Sequence, residues 1–351
     1  MRVGVVGLGY WGSRHLRVVS GLAEVDHVEV FDLDPRRVQA ASSAFPGAQA
    51  AASVGDLLSS VDAVIVATGP SSHARLGMAA LEAGCHLLVE KPLALDARSG
   101  AAMVAAAERR GLTLMVGHTF AYNPAVQALR SMVADGHLGD VLHVESQRLN
   151  LGLFQADCDV LWDLAPHDLS ILTTVLGSSP TAVSCWGRGS VEPGVVDNAH
   201  IRLLFGDIGT EAVVHVSWLH PHKTRQVTVV GSERMAVYDD LAGDMKLRVY
   251  DKGVQRAAEP AANEQSLTYR YGDIHCPYVS PHEPLMIEDR HFVECVLSGT
   301  RPMTDGRAGL AVVETLEAAS LALATGNEVP LSIDLVGVDA RGGEVPAVSA
   351  P

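Results

Sequence analysis

Basic residues are scarce in this chain. Of its 351 residues, 26 are Lys or Arg against 41 Asp or Glu, a formal net charge of −15 with a pI near 5.4. That balance disfavours an electrostatic grip on nucleic acid or anionic lipid and leaves at most a local basic patch for a phosphate. Cysteines are few and scattered. Cys85, Cys158, Cys185, Cys276 and Cys295 form no CxxC pair, which argues against a disulfide framework and against a zinc knuckle. They read as buried thiols in a reducing compartment. No apolar stretch reads as long and unbroken enough to span a bilayer, and Met1-Arg2 leads straight into a strand pattern with no signal peptide ahead. The expected location is the cytoplasm, without a membrane partner. No internal repeat is visible. The composition is 48% hydrophobic, enough for two cores of ordinary size, and the partner it suits is a small molecule.

From Arg2 to about Thr119, apolar strand patterns alternate with helical stretches. Val3–Val6, Val25–Phe31, Ala63–Ala67, His86–Val89 and Thr113–Val116 read as strands, and Trp11–Ser20, Pro35–Ala44, His73–Ala83 and Ala97–Arg110 as helices. Such alternation with right-handed crossovers predicts a parallel, doubly wound sheet covered on both faces. Asp34-Pro35 and Asn123-Pro124 are helix starts, an N-cap followed by proline at the first helical position. Beyond Asn123 the texture changes. A helix to about Ala134 and a strand over Val141–Arg148 precede a helix over Leu161–Val175. Ala182–Trp186, Ala199–Phe205, Thr210–Trp218, Gln226–Val230, Met235–Tyr238 and Lys246–Tyr250 then alternate like antiparallel strands. Two helices, about Pro284–Leu297 and Arg307–Ala324, close the pattern, either free to pack back on the first domain. The expectation is an α/β chain: a dinucleotide-binding domain over 1–122, an α+β domain on an open, mostly antiparallel sheet over 123–340, and a Gly/Ala/Pro-rich flexible tail over 341–351.

Several motifs carry chemistry. Gly7, Gly9 and Gly12 form G-x-G-x-x-G between a strand and a helix, where glycines permit a tight turn and bring a pyrophosphate to the helix N-terminus. Asp32 follows 20 residues after Gly12, placed to accept from adenosine ribose hydroxyls and repel a 2′-phosphate. This favours NAD over NADP, although Arg36 and Arg37 nearby suit NADP and Asp32 could simply cap the next turn. Thr68 to His73 follows a strand, so this loop should border the cofactor. Glu90-Lys91-Pro92 ends the next strand. A lysine there, desolvated by a nicotinamide ring, could hydrogen-bond a substrate hydroxyl and help its proton leave. Asp163 and His167 lie four apart, on one face of any helix, and imidazole suits a base that takes the proton of a secondary alcohol. The bland alternative is a helix start at Asp163 or Pro166. Asp-x-x-x-His without a third clear ligand is a poor zinc signature, so no metal is expected. Arg148, Arg225 and Lys223 are candidates for a diphosphate, with the proviso that scattered basic residues are usually solvated.

These residues in this order resemble the glucose-fructose oxidoreductase, inositol dehydrogenase and rhizopine-catabolism (Gfo/Idh/MocA) family, over nearly the whole chain. The resemblance implies a Rossmann domain carrying NAD(P), a C-terminal domain whose open sheet mediates dimers or tetramers, and a cis peptide before Pro92. It implies that Lys91 orients the substrate hydroxyl, that His167 is the acid/base, and that Asp163 holds the substrate. Gly7, Gly9, Tyr10, Trp11, Gly12, Asp32, Thr68, Pro70, His73, Glu90 and Lys91 would meet the cofactor. Where the family often has Arg before Asn-Pro, this chain has Ala121, so His118 and Tyr122 are expected to take over substrate contacts, with Arg148, Asn150 and Trp162. The stretches 146–152 and 160–168 look like the branch that works on nucleotide-linked sugars and amino sugars. The expected activity is NAD-dependent oxidation or reduction of a ring secondary alcohol, often C3, in a secondary-metabolite or polysaccharide pathway. Its rivals are a free cyclitol or aldose dehydrogenase and, from another class, an NAD-binding sensor or scaffold.

Overall fold

The computed structural model describes residues 1–155, 158–256 and 267–331; the expected tail, 341–351, lies outside them. In chain order the first elements are β1 (Arg2–Val6), α1 (Tyr10–Val19), β2 (His27–Phe31), α2 (Pro35–Ala44), β3 (Ala48–Ala50), α3 (Val54–Ser60), β4 (Ala63–Val66), α4 (His73–Glu82), β5 (His86–Glu90), α5 (Ala97–Arg110) and β6 (Leu114–Gly117). They build a six-stranded parallel sheet of order β3-β2-β1-β4-β5-β6, the order of dinucleotide-binding sheets with its switch point between β1 and β4. β4 and β6 are buried along their whole length, as helices on both faces require.

The next elements are α6 (Pro124–Ala134), β7 (Val141–Leu151), α7 (Val160–Leu176), β8 (Ala182–Arg188), β9 (Asn198–Phe205), β10 (Thr210–Ser217), β11 (Leu219–Gly231), β12 (Met235–Asp239), β13 (Leu247–Arg256) and β14 (Leu267–His275), followed by α8 (Pro284–Ser298), α9 (Gly306–Thr325) and β15 (Val329–Pro330). Nine strands form the second sheet, ordered β14-β13-β12-β11-β7-β10-β9-β8-β15. Its neighbours are antiparallel except β7 and β10, which run parallel. β9 and β10 alternate buried and half-buried residues, and the inward set, Ala199, Ile201, Leu203, Phe205, Ala212, Val214 and Val216, lies on the sheet that α7 covers.

Two compact units result. The first joins Met1–Tyr122 to His282–Glu314, and the second holds Asn123–Pro281 with the described residues from Thr315 onward, so the division falls inside α9. Tyr122 and Phe292 share one buried cluster with Val3, Val30, Ile65, Leu88 and Met115.

Several local expectations are corrected. β3 and α3 have no counterpart in the strand and helix patterns read above. β3 is three residues with two exposed, too short for any periodicity. α3 carried a usable signal, because Ser53 accepts from the Asp56 N–H at 3.1 Å, the Ser-x-x-acid start of a helix. β14 is exposed almost throughout and so lacks alternation. α7 begins neither at Asp163 nor at Pro166: Asp159 is its N-cap, accepting from the Trp162 N–H at 3.2 Å, and Pro166 sits inside it, at the loss of one internal hydrogen bond. α9 is long and apolar enough to cross a membrane by length and composition, contrary to expectation. Its Val312, Val313, Leu316, Ala319 and Ala322 are buried in protein, as in a core helix. Of the five thiols, Cys85, Cys185 and Cys295 are buried, Cys158 is half-buried and Cys276 is exposed.

Replacing Asp159 with Ala should lower the urea midpoint at constant m, a loss of about 1 kcal/mol for one N-cap. An unchanged midpoint would mean that water serves the Trp162 N–H equally well.

Candidate active site

β1 ends against a loop that only glycine can make. Gly7 has φ of +90°, and a Cβ on Gly12 would lie 1.7 Å from the Gly7 carbonyl oxygen. Gly9, by contrast, would meet only an Arg37 nitrogen at 3.6 Å, so its α-carbon faces open space where a phosphate could approach. Gly9 is also the N-cap of α1, and no side chain caps that helix. Its first N–H groups and the positive end of its dipole are therefore offered to an anion. The loop fits a dinucleotide pyrophosphate. Beside it, Tyr10 is 67% exposed, packed edge-on to Trp11 and covered by Arg14. The carboxylate of Asp32 accepts from Leu8 N–H at 2.6 Å and Asp34 N–H at 2.8 Å, with Arg37 at 3.6 Å. Asp32 thus caps the following turn and also ties β2 to the glycine loop. Each oxygen keeps a lone pair that a ribose hydroxyl could use.

The next two loops are bolted together by His73. Its ring is fully buried, with Nδ1 2.8 Å from the Pro92 carbonyl and Nε2 3.0 Å from the Thr68 carbonyl. Burial lowers its pKa. His73, expected at the cofactor, joins the two loops with none of its surface left exposed. Thr68 Oγ1 is 2.6 Å from Ser72 Oγ, and Pro70 opens a short 3-10 turn. The Lys91–Pro92 peptide is cis. Lys91 is half-buried, its backbone N–H donating to Glu90 Oε2 at 3.1 Å.

Beside Lys91 lies a buried polar cluster of which only Glu90 was among the predicted site residues. His15 of α1, with no exposed surface, places Nδ1 2.7 Å from Asp289 Oδ1 and Nε2 3.1 Å from Glu90 Oε1. Glu288 is also fully buried and accepts from Thr119 Oγ1 at 2.7 Å, while its Oε1 has no hydrogen-bond partner among the described residues. Burial pushes the His15 pKa down, but the Asp289 and Glu90 carboxylates more than reverse this and hold it well above the usual histidine range. Burial would raise Glu90, yet its bond to His15 and the charges of His15 and Lys91 keep it below the ordinary value. Glu288 goes the other way: desolvation, with repulsion from Glu90 and Asp289, raises it far above the carboxylate range. The signal for this cluster was two adjacent acids, Glu288 and Asp289, that share α8 with the apolar Leu285, Phe292 and Val293.

His118 is 2% exposed with neither ring nitrogen bonded among the described residues, and desolvation takes its pKa to about 4. Tyr122, expected as a substrate contact, is buried in the core of the first unit. It is 1% exposed, and its hydroxyl lies 3.1 Å from both Thr304 Oγ1 and His291 Nδ1.

The other predicted residues belong to the second unit. Asp163 and His167 are both half-buried, one turn apart on α7. Asp163 Oδ2 accepts from the indole of Trp218, a buried residue the motifs did not include, at 3.1 Å. Trp162 donates its indole N–H to Ser320 at 3.2 Å, and Asn150 is half-buried on β7. Arg148 is not the solvated charge expected of scattered basic residues. It is 3% exposed, its Nε 2.6 Å from Asp168 Oδ2, while Asp168 Oδ1 accepts from Ser146 at 2.7 Å. A buried pair of this kind fixes α7 on β7 one residue beyond His167. Among the described residues no group of His, Cys, Asp or Glu could hold a metal ion.

Two family models match the chain: the oxidoreductase family with an NAD-binding Rossmann fold over residues 1–118, and the Gfo/Idh/MocA C-terminal domain over residues 126–237. The chain is 28% identical over 322 residues to the UDP-N-acetylglucosamine 3-dehydrogenase of Acidithiobacillus ferrooxidans, covering 89% of this chain and 94% of that protein. It is 26% identical over 343 residues to the D-apiose dehydrogenase of Paraburkholderia graminis, covering 93% and 88%. The crystal structure of GenD2 from gentamicin A biosynthesis in complex with NAD matches with a TM-score of 0.79 at 28% identity, covering 94% of this chain and 96% of that one.

The raised pKa of Glu288 has a definite consequence for stability. The folded state keeps the proton while the unfolded chain releases it near pH 4.5. Its stabilising contribution is therefore complete below that pH and is lost as pH rises toward the folded value. Glu288→Gln imitates the neutral acid at every pH. The Tm difference between this variant and wild type should be smallest near pH 4.5 and grow in the variant's favour as pH rises. A difference independent of pH would mean that Glu288 is ionised in the folded protein.

Proposed function

Because the chain belongs to the Gfo/Idh/MocA family of oxidoreductases, with an NAD-binding Rossmann fold, we propose that it moves a hydride between NAD and a secondary ring alcohol, C3 in the leading case. The substrate class is a sugar, nucleotide sugar or amino-sugar intermediate of polysaccharide or secondary-metabolite biosynthesis. The relative named as a UDP-N-acetylglucosamine 3-dehydrogenase and the GenD2 match support that class. The observation that carries the reading is the Glu90-Lys91-Pro92 loop at the carboxyl end of β5, on the edge where open α/β sheets receive ligands.

NAD, when bound, supplies the hydride acceptor. The α1 N-terminus and the glycine loop bind its pyrophosphate, and Asp32 accepts from the adenosine ribose and disfavours a 2′-phosphate. Thr68 and Pro70 shape the wall of its site. Lys91 donates to the substrate oxygen and stabilises negative charge developing there. His167 accepts the hydroxyl proton through its imidazole, and Asp163, held by Trp218, orients the substrate. His118, Asn150 and Trp162 are substrate contacts. The protein acts in the cytoplasm as a homodimer or homotetramer.

One observation favours a second reading, a free aldose or cyclitol as substrate. Arg148, a diphosphate candidate, is engaged with buried Asp168, and Arg225 lies 3.7 Å from Asp240. The relative named D-apiose dehydrogenase supports the same alternative.

Purified protein with NAD should form NADH against a panel of UDP- and dTDP-sugars, aminoglycoside intermediates, cyclitols and aldoses, the keto position being read by NMR. Turnover of nucleotide sugars is expected; turnover of free sugars alone would establish the second reading. Lys91→Ala and His167→Gln should each lower kcat by about 10²–10⁴-fold while NAD binding, measured by fluorescence titration, is retained. Unchanged turnover in either variant would remove that residue from the mechanism.

A further inference from the structure

The buried cluster around His15 does more than join helices. Both ring nitrogens face carboxylate oxygens, at 2.7 Å to Asp289 and 3.1 Å to Glu90. Ionised carboxylates only accept, so a ring that satisfies both must donate from both nitrogens. Glu90 divides its oxygens in turn: Oε1 faces His15, and Oε2 accepts the backbone N–H of Lys91. An unbroken chain of contacts therefore runs from α8 through α1 to the peptide that carries the lysine. α1 is also the helix whose N-terminus lies at the glycine loop.

We propose that His15 is a positioning residue for Lys91: clamped between Asp289 and Glu90, it holds the Glu90 carboxylate against the lysine's backbone and so sets the direction of the side chain. The inference rests on the role assigned to Lys91 under the proposed function. The surroundings leave few substitutes for the ring. Glu90 is 6% exposed and Asp289 not at all, so neither can exchange His15 for bulk water. Glu288 adds a third acid within electrostatic reach of Glu90, Asp289 and His15, while Glu283 acts on Asp289 and is paired at the surface with Arg17. His118, its pKa lowered to about 4 by burial, lies within electrostatic reach of Glu90 and Lys91. Without the imidazolium, three acids would share one dry pocket with Lys91 as the remaining cation acting on Glu90. Glu90 would then take up a proton or swing away, and its bond to the Lys91 N–H would weaken.

The clamp is tested on the full-length protein by selective labelling. The chain has only four lysines, Lys91, Lys223, Lys246 and Lys252, so 15N-lysine labelling resolves the Lys91 amide, identified by its absence in Lys91→Ala. In 15N-histidine samples, the resonance missing from His15→Gln should show both ring nitrogens protonated at pH 7. The Lys91 amide should shift in His15→Gln and less in Asp289→Asn, which keeps an acceptor but removes its charge. In turnover assays, His15→Gln should lower kcat about 10–100-fold with KM and the NAD Kd near wild type. Asp289→Asn, by lowering the pKa of the ring, should move the alkaline fall of kcat to lower pH. A neutral His15 ring at pH 7, an unmoved Lys91 amide, or unchanged kcat and pH profile in a variant that is merely less stable would overturn the proposal. The NMR arm needs no substrate, so a wrong substrate class and a wrong role for His15 are told apart.

Discussion

Glu90 ends a strand behind buried Leu87, Leu88 and Val89, and little of it reaches water. Its immediate partners compensate the carboxylate charge. His15 comes from α1, the Lys91 N–H from the next residue, and Asp289 from α8 closes the far side of the ring. Desolvation would otherwise raise the Glu90 pKa, as it raises that of Glu288. The two acids differ in their surroundings: Glu90 touches His15 and the Lys91 N–H and feels the Lys91 charge, whereas Glu288 touches a hydroxyl and is repelled by Glu90 and Asp289. The acid shifted toward its charged form is the neighbour of the lysine on which the proposed chemistry depends.

The glycine loop works by a complementary rule, the absence of side chains rather than their pairing. Gly7 and Gly12 allow the backbone to turn and close on itself, and Gly9 leaves the uncapped end of α1 open. The same helix presents free N–H groups at one end and, a turn further, the ring that clamps Glu90. The proposed cofactor loop and the proposed lysine clamp therefore share one helix within the first unit. In the second unit the equivalent of this rigidity is the Arg148–Asp168 pair with Ser146, which locks α7 to β7 beside His167, and the Trp218 indole, which holds Asp163.

Much of this was legible in the residues. The strand-helix alternation announced the parallel sheet because strands covered on both faces must be short and wholly apolar. Asp34-Pro35 and Asn123-Pro124 marked helix starts because capping and proline geometry are local; both Asp and Asn accept from the helix N-terminus as expected. What escaped were elements with no periodicity to read, β3, β14 and β15, and the Asp159 cap, whose competitor Asp163 offered the same chemistry four residues on. Site residues divided along the same line. A motif names Lys91 by its neighbours in the chain, whereas nothing near His15 in the chain says that Glu90 and Asp289 will flank it.

The sequence by itself determined the two-part α/β architecture, the glycine turn, the Asp32 position and the Asp163–His167 spacing, because each depends on interactions within a few residues or on simple periodicity. Tertiary structure alone decided that His73 and Tyr122 are enclosed, that Arg148 is paired with Asp168, and that the Glu288 pKa is raised while that of Glu90 is lowered. Those outcomes depend on burial and on partners as much as 274 residues away, and the electrostatics of a charge is set by what surrounds it in space.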